Sequence, residues 1–139
     1  MEKYRNLLTY EIENGEVKLT KVYGVFGNYH IPEYIEGLPV TSICLDSLCG
    51  SSNIFVLYIP KMVTKICTCG SFHLRRFEVS GENTVFCSSD DGTLYTKDLK
   101  VLVAHPDASG CEYIIPEGIK SIGFSDKYDL SFFRFDNGV

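Results

Sequence analysis

The sequence contains no long apolar run, and this absence bears on location. Residues 1–8 lack the roughly seven consecutive apolar residues of a secretory signal, and no later stretch approaches the length of a membrane-spanning helix. We therefore expect a cytoplasmic protein with no membrane insertion. A chain trimmed of its signal would look the same, which leaves the cell surface or secretion as the alternative.

Positive charge is also scarce. Lys and Arg number 13 against 18 Asp and Glu, so the formal net charge is -5. Because nucleic-acid affinity comes largely from Lys and Arg that displace counterions, this balance predicts no nucleic-acid partner. No linker, low-complexity tract or charge run divides the 139 residues, of which 45% are hydrophobic, and we expect one domain with a buried core.

What the chain has instead is a recurring hydrophobic motif. Three segments end in Ile-Pro, and each leads to a tail of the form Val/Ile-x-x-Ile. Two further segments reproduce the spacing with Ser or Asp in place of Pro. The Ile-Pro segments are 29–32, 57–60 and 113–116, their tails are 40–43, 63–66 and 119–122, and the degenerate copies are 74–80 and 130–136. Self-similarity of this kind indicates a repeat architecture.

The spacing of the copies predicts the fold class. Their anchor residues Ile31, Ile59, Val79, Ile115 and Phe135 are 28, 20, 36 and 20 residues apart. A basic unit of about twenty residues lies within the leucine-rich-repeat range. We predict an all-β-rich solenoid, a right-handed leucine-rich-repeat array over residues 29–139. Its repeats are expected near 29–50, 54–72, 74–80, 113–124 and 130–139.

Two regions depart from the repeat. In residues 1–28, apolar residues alternate with polar ones on both sides of Asn14-Gly15, a strong hairpin signal, so we predict a β-hairpin that caps the first turn. Residues 83–106 contain three short apolar runs separated by turn signals and predict an inserted β-meander. The segments 46–49 and 69–72 are too short for ordinary helices and suggest 3₁₀ turns or coils.

Alternation along the strands assigns their faces. One set should point inward: Leu57, Ile59, Phe77, Val79, Tyr113, Ile115, Phe133 and Phe135. The residues between them should form one exposed stripe, and we take six of its members as candidate binding residues because Tyr and Arg are frequent interface anchors. They are Tyr58, Arg76, Glu78, Ile114, Phe132 and Arg134.

Two segments of the chain resemble those of a known family. Residues 31–43, which run Ile-Pro-Glu-Tyr-Ile-Glu-Gly-Leu-Pro-Val-Thr-Ser-Ile, resemble the opening repeat of BspA-like leucine-rich-repeat proteins of bacteria, and residues 89–95 resemble that family's inter-repeat hairpin. The resemblance covers roughly residues 8 to 135. It implies a bacterial protein of the adhesion or protein-binding type with no catalytic residues. The chain departs from the family pattern where Cys44 and Cys67 follow the repeat Ile.

The cysteines allow several interpretations. Cys44, Cys49, Cys67, Cys69, Cys87 and Cys111 could form three disulfides in any of 15 connectivities. Cys44 and Cys67, however, occupy the position that Gly123 has in a later copy, so we interpret them as small core-lining residues and expect free thiols that label slowly. Cys67-Thr68-Cys69 with His73 could bind zinc, but a single residue between the thiols is unusual for such a site.

Other signals for chemistry are weak. A Cys-His nucleophile could be drawn from six cysteines and His30, His73 or His105, so the match has little value, and His105-Pro106 is expected to begin a loop. Asp90-Asp91-Gly92 lacks the further ligands of a calcium loop and reads as a hairpin turn. We therefore expect no enzyme activity, no cofactor and no metal.

These observations favour a binding module that recognises a protein partner along the exposed stripe. The alternative is a structural unit that self-assembles through its open C-terminal repeat, and a Cys/His enzyme is the least favoured reading. An unpaired strand edge near the C-terminus invites pairing with another chain, so we predict a homodimer through residues 128–139.

Overall fold

Strands make up most of the computed structural model. The structure describes residues 2–5, 8–23, 26–45, 53–67, 70–72, 74–106, 113–122 and 133–135. The strands in chain order are β1 (Glu2–Arg5), β2 (Leu8–Glu13), β3 (Glu16–Val22), β4 (Phe26–His30), β5 (Tyr34–Ile35), β6 (Leu38–Cys44), β7 (Asn53–Ile59), β8 (Lys65–Cys67), β9 (Gly70–Phe72), β10 (Arg76–Val79), β11 (Phe86–Ser88), β12 (Leu94–Thr96), β13 (Val101–Pro106), β14 (Tyr113–Ile115), β15 (Ser121–Ile122) and β16 (Phe133–Phe135).

A β-hairpin lies at the predicted Asn-Gly turn. Asn14 and Gly15 both have positive φ, 55° and 76°, as the favoured two-residue hairpin turn requires, and β2 pairs antiparallel with β3 around them. Strand β1 extends this hairpin antiparallel to β2, which the sequence did not indicate. Strand β3 then pairs parallel with β6, so the hairpin lies directly beside the first repeat tail.

The Ile-Pro segments form parallel ladders. Strand β7 lies between β4 and β10, and β14 pairs with β16, all parallel. Strands β7 and β14 end at Ile59 and Ile115, immediately before Pro60 and Pro116. Proline has no N–H to continue a ladder and restricts the residue before it to extended conformations, so it explains where these strands stop.

The tails of the repeats form further parallel strands. Strand β6 pairs with β8 on its free side, and β15 pairs with β13. The prediction of 3₁₀ turns or coils for residues 69–72 is wrong over 70–72, because β9 pairs parallel with β13 there. The companion segment 46–49 lies outside the described residues.

Three strands at the positions predicted for the meander, β11, β12 and β13, pair antiparallel in chain order. Strand β13 also pairs parallel with both β9 and β15, which places the last meander strand inside a ladder of repeat strands. The meander therefore continues the stack of strands, which sequence alone did not indicate.

The core lies between the first ladder and the sheet that contains the tails. One apolar cluster includes Leu57, Ile59 and Phe77 of the first ladder together with Ile43 and Ile66 of the tails. The exposed fraction of Leu57 and Phe77 is 0%, and that of Ile59 is 1%. Strands from different motif copies therefore share one apolar core.

The placement of two cysteines requires a correction. The sequence suggested that Cys44 and Cys67 line the core, but Cys44 is half-buried and Cys67 is exposed. Each follows a buried isoleucine, Ile43 or Ile66, and successive side chains of a strand point to opposite faces. The expectation of slow labelling therefore loses its basis at Cys67.

Candidate functional site

The outer face of β4, β7 and β10 presents its side chains in aligned rows. The register pairs Asn28 with Val56 and His30 with Tyr58, and it pairs Val56 with Arg76 and Tyr58 with Glu78. Because all three strands are parallel, residues of one row stand side by side across the ladder. We call these six residues the strand row: Asn28, His30, Val56, Tyr58, Arg76 and Glu78.

Local sequence explains why these side chains face outward. Tyr58 lies between Leu57 and Ile59, whose exposed fractions are 0% and 1%, so the two-residue period of the strand turns Tyr58 away from the core. The register of β4 against β7 shifts between Gly27 and Asn28, which leaves Phe55 as an extra residue. Such a bulge locally increases strand twist and re-aims side chains near the site.

The aromatic part of the strand row is a stacked pair. The rings of His30 and Tyr58 have centroids 3.9 Å apart and planes inclined by 7°. His30 is exposed and Tyr58 is half-buried, so the pair presents a flat surface with a hydroxyl and an imidazole at its edge. Nearby, the guanidinium of Arg75 lies 4.9 Å from the ring centroid of Phe55, in a cation–π contact.

The charged part of the strand row is an ion pair. Arg76 Nε lies 2.6 Å from Glu78 Oε1, and the two side chains are 38% and 37% exposed. An ion pair this exposed adds little to stability because solvent screens it and ordering two long side chains costs entropy. The Arg76 Nε atom is itself buried, so Glu78 is the group beside it that compensates its charge.

Next to the strand row lies a shallow groove of about 420 Å³. His30, Tyr58 and Glu78 of the strand row line this groove, together with Glu33 and Pro60 beyond the ends of the strands. The groove combines aromatic surface, a proline ring and two carboxylates. This chemistry suits a peptide segment that carries both apolar and polar or basic groups.

Five of the six sequence-predicted residues lie on described strands, and they belong to two ladders. Tyr58, Arg76 and Glu78 lie together on the outer face of the first ladder. The backbones of Ile114 and Arg134 are paired in the β14–β16 ladder, which is a separate sheet, and Phe132 lies outside the described residues. The described strands therefore group Tyr58, Arg76 and Glu78 in one ladder, and the single stripe of all six residues stays a prediction.

Sequence reasoning missed His30 and Asn28 as members of this surface. A signal for His30 was present, because His30 precedes Ile31-Pro32 just as Tyr58 precedes Ile59-Pro60. Only the ladder register shows that the two rings meet, since a separation of 28 positions between the anchors does not fix which strands are neighbours.

The histidine candidates for catalysis have other contacts. His105 lies inside β13 and is 6% exposed, so the expected loop at His105-Pro106 is wrong. Its Nδ1 is 2.9 Å from Thr93 Oγ1, and Thr93 has an exposed fraction of 0%. This buried contact links β13 to the residue immediately before β12. His73 lies outside the described residues.

The turn at Asp90-Asp91-Gly92 is held by local hydrogen bonds. Asp91 Oδ1 accepts hydrogen bonds from the hydroxyl of Ser89 and from the backbone N–H of Thr93. Burial raises the pKa of this carboxyl, but these hydrogen bonds outweigh the effect and the pKa is lowered. Within the described residues, no group of three or more His, Cys, Asp or Glu could hold a metal ion. No helix in this part of the chain has the length and apolar character that crossing a membrane requires.

Comparison with known proteins reveals a relationship of fold. Neither a protein-family model nor a curated protein matches the chain. A crystal structure of a leucine-rich repeat protein from Eubacterium ventriosum is similar over 81% of this chain, with 26% sequence identity and a TM-score of 0.57. The matched region is 30% of that protein's chain. The similarity supports a leucine-rich-repeat-like fold for the present chain.

The pneumococcal vaccine antigen PcpA also aligns with this chain. The alignment covers 100% of this chain and 65% of the antigen, with 12% identity and a TM-score of 0.38.

Proposed function

We propose that this chain is a non-catalytic binding module of the leucine-rich-repeat type that recognises a protein segment on its strand row. The observation that carries the proposal is the stacked His30–Tyr58 pair beside the Arg76–Glu78 ion pair, at the edge of an open groove. Tyr and Arg dominate the energetics of protein interfaces, because they combine a large contact area with polar groups at the end.

The wider assignment rests on both sequence and fold. The repeated Ile-Pro segments, the opening-repeat motif of residues 31–43 and the similarity to the Eubacterium ventriosum protein together support a BspA-like protein in which the parallel ladders are successive turns of a right-handed solenoid. Solenoids present broad strand surfaces that are typical of binding and adhesion. The partner of this chain is accordingly a protein, and the contact is made without a cofactor.

A displayed library of random peptides tests this function directly. The folded chain is immobilised, bound peptides are enriched, and their affinities are measured against Tyr58→Ala and His30→Ala. We expect losses of at least about tenfold, which corresponds to about 1.4 kcal/mol, since truncation of an interface anchor commonly costs more than this.

Tyr34→Ala is the matched control. Tyr34 is 53% exposed and lies on β5, outside the first ladder, so its removal should leave peptide affinity unchanged. Failure to enrich any peptide would contradict the proposal, and so would peptides that bind Tyr58→Ala as tightly as the wild type.

A second candidate function, self-assembly, is favoured by the last ladder. Among the described strands, β16 pairs with β14 alone. An edge with unpaired N–H and C=O groups can accept a strand from another molecule. Under this alternative, the C-terminal repeat stacks on a second copy of the chain and the strand row has no foreign ligand.

A further inference from the structure

Cys44 and Cys67 are direct neighbours across two parallel strands. They are paired in the register of β6 and β8, one step beyond the pair formed by Ile43 and Ile66. Since both isoleucines are buried, both cysteines project from the opposite face, toward the same side of the sheet. The chain therefore brings together two thiols that are 23 residues apart in sequence.

The spacing of neighbouring strands is compatible with a covalent link. Paired residues of adjacent strands have their Cα atoms roughly 4.8 Å apart, and disulfides span about 4.4 to 6.8 Å between Cα atoms. Side chains that leave parallel strands at the same height do not converge, so a bond between them requires a small local contraction. Such strain makes a disulfide easier to reduce.

The surroundings give small molecules access to this pair. Cys67 is exposed and lies on the wall of a groove of about 570 Å³. The same groove is lined by two lysines, Lys18 and Lys65, and by three glutamates, Glu11, Glu13 and Glu16, so charges of both signs surround Cys67. Oxidants of either charge and modest size can therefore approach Cys67.

The half-buried thiol of Cys44 is less reactive toward dissolved reagents. Burial raises the pKa of the Cys44 thiol, and the neighbouring Cys67 raises it further, while the ammonium of Lys18 acts in the opposite direction. A thiol that is less exposed and less readily ionised attacks dissolved reagents slowly. It is, however, well placed to attack a sulfur already attached to its neighbour.

We propose that Cys44 and Cys67 form a redox-sensitive dithiol that closes into a cross-strand disulfide by exchange with a low-molecular-weight disulfide. The Cys67 thiolate attacks one sulfur of the reagent, forms a mixed disulfide and releases the first reagent thiolate. Cys44 then loses its proton and attacks Cys67 Sγ, which forms the Cys44–Cys67 bond and releases the second reagent thiol. The protein gives up two electrons and two protons, and the reagent disulfide is reduced to two thiols.

The bond would tie consecutive repeat tails together. Strands β6 and β8 belong to two successive motif copies, and a link between them restricts the separation of the two turns. Oxidation therefore stabilises this part of the stack, and reduction releases it. This inference does not depend on the proposed binding function, since the two thiols lie on the tail sheet and not on the strand row.

The test uses the full chain with oxidised glutathione as the probe. The reduced protein is incubated with the reagent, remaining thiols are alkylated, and proteolytic fragments are analysed without reductant. We expect the loss of two alkylatable thiols, a crosslinked fragment pair containing Cys44 and Cys67, and an increase in melting temperature that a reductant reverses.

Single substitutions to serine identify the bonded atoms. Cys44→Ser should stop the reaction at a mixed disulfide on Cys67, and Cys67→Ser should abolish rapid reaction at this site. Cys69→Ser and Cys87→Ser are the controls and should leave the crosslink intact. A crosslink that persists in Cys44→Ser, one that requires Cys69, or a wild type that keeps all its thiols would each overturn the proposal. The wild-type measurement needs no variant, so a folding defect cannot obscure the result.

Discussion

His30 stacks on Tyr58 because the two residues occupy the same position in successive repeats. Each stands immediately before an inward isoleucine and a proline, and the parallel register sets their rings 3.9 Å apart with nearly parallel planes. The outer face of this parallel ladder thus brings two copies of a sequence motif into contact in space. Neighbouring residues therefore have different roles: the isoleucine packs in the core, and the residue before it contributes to the outer surface.

These different roles predict that alanine substitutions at Tyr58 and Ile59 lower the free energy of unfolding by different amounts. Ile59→Ala removes a side chain that is 1% exposed in the central strand of its ladder and should lower the free energy of unfolding by about 2–5 kcal/mol. Tyr58→Ala removes a half-buried side chain on the outer face and should cost about 1 kcal/mol or less. Urea unfolding followed by circular dichroism measures both, and equal losses would refute the assignment of faces.

The close approach of Gly92 to Arg76 makes position 92 sensitive to substitution. Gly92 has a φ of +84°, and a Cβ there would lie 2.2 Å from Arg76 Cβ. Gly92→Ala should therefore destabilise by about 2–4 kcal/mol, from the combined cost of backbone strain and steric overlap. It should also displace the Gly92 carbonyl, which accepts a 2.9 Å hydrogen bond from the backbone N–H of Phe77 on the edge of the strand-row ladder.

Gly81→Ala is the matched control for this change. A Cβ at Gly81 would have no atom within 4 Å, and its φ is outside the left-handed region. Thermal unfolding of the two variants should show a large loss at Gly92 and a change within about 0.5 kcal/mol at Gly81. Similar melting temperatures for both would contradict the contact.

Asn83 connects a repeat to the meander through its side chain. Its Nδ2 donates to the carbonyls of Pro60 and Val63 at 3.0 Å each, and its Oδ1 accepts from the backbone N–H groups of Val85 and Phe86 at 2.8 Å each. Asn83 is 1% exposed, so Asn83→Ala leaves these groups unsatisfied. We expect a loss of about 2–4 kcal/mol in unfolding free energy.

Thr84→Ala, at the exposed neighbouring position, provides the comparison for Asn83 and should change stability by less than about 0.5 kcal/mol. Hydrogen exchange would locate the effect, because loss of the Asn83 bonds should speed exchange at Val85 and Phe86. Unchanged exchange at both amides would show that the side chain does not hold this turn.

Tyr29 should make stability depend on alkaline pH. Burial raises the pKa of its phenol from 10.0 to about 12, because the charged form is poorly solvated where the ring packs against the core. Between these values the unfolded chain has lost the proton and the folded chain retains it, so the unfolding free energy must fall as pH rises from 10 to 12. Below pH 10 this contribution is fully present.

Comparison with Tyr29→Phe isolates this effect from the other groups that titrate at high pH. The variant lacks the phenol, so the difference in unfolding free energy between wild type and variant should be constant below pH 10. Above that pH it should shift in favour of the variant. Curves that remain parallel up to pH 12 would exclude a perturbed Tyr29.

Sequence patterns predicted the features of this fold that depend on residues adjacent in the chain. The Asn14-Gly15 hairpin, the strand ends before Pro60 and Pro116, and the inward position of Leu57 and Ile59 all follow from turn preference, proline geometry and alternation. These features depend on a few adjacent residues, and no distant segment overrides them.

The features that sequence missed depend on which strands become neighbours. Residues 70–72 were expected to form a turn or coil, but they form a strand because they pair with β13. His105, which lies on β13 within this pairing, is buried. The stacking of His30 on Tyr58 and the juxtaposition of Cys44 and Cys67 are likewise properties of register. Pairing over long sequence separation is decided by the whole core, so single-sequence patterns carry little information about it.

The pairing of β16 is the basis of the last prediction, self-association. Strand β16 pairs with β14 on one side, and among the described strands it has no second neighbour. Apolar residues alternate along this segment, with Phe133 and Phe135 expected inward and Phe132 outward, and a strand edge without a partner can accept a strand from another molecule. We therefore predict a homodimer through residues 128–139, with the same patch used twice around a two-fold axis.

Sedimentation velocity at micromolar concentration decides whether this dimer exists. The wild type should sediment as a dimer, and Phe132→Glu should shift it to a monomer because a carboxylate would have to be buried in the contact. Leu99→Glu is the control, since Leu99 is an exposed apolar residue, 54% accessible, in the turn between β12 and β13. A monomeric wild type eliminates the dimer, whereas a Phe132→Glu variant that remains dimeric while Leu99→Glu dissociates would place the interface at the meander.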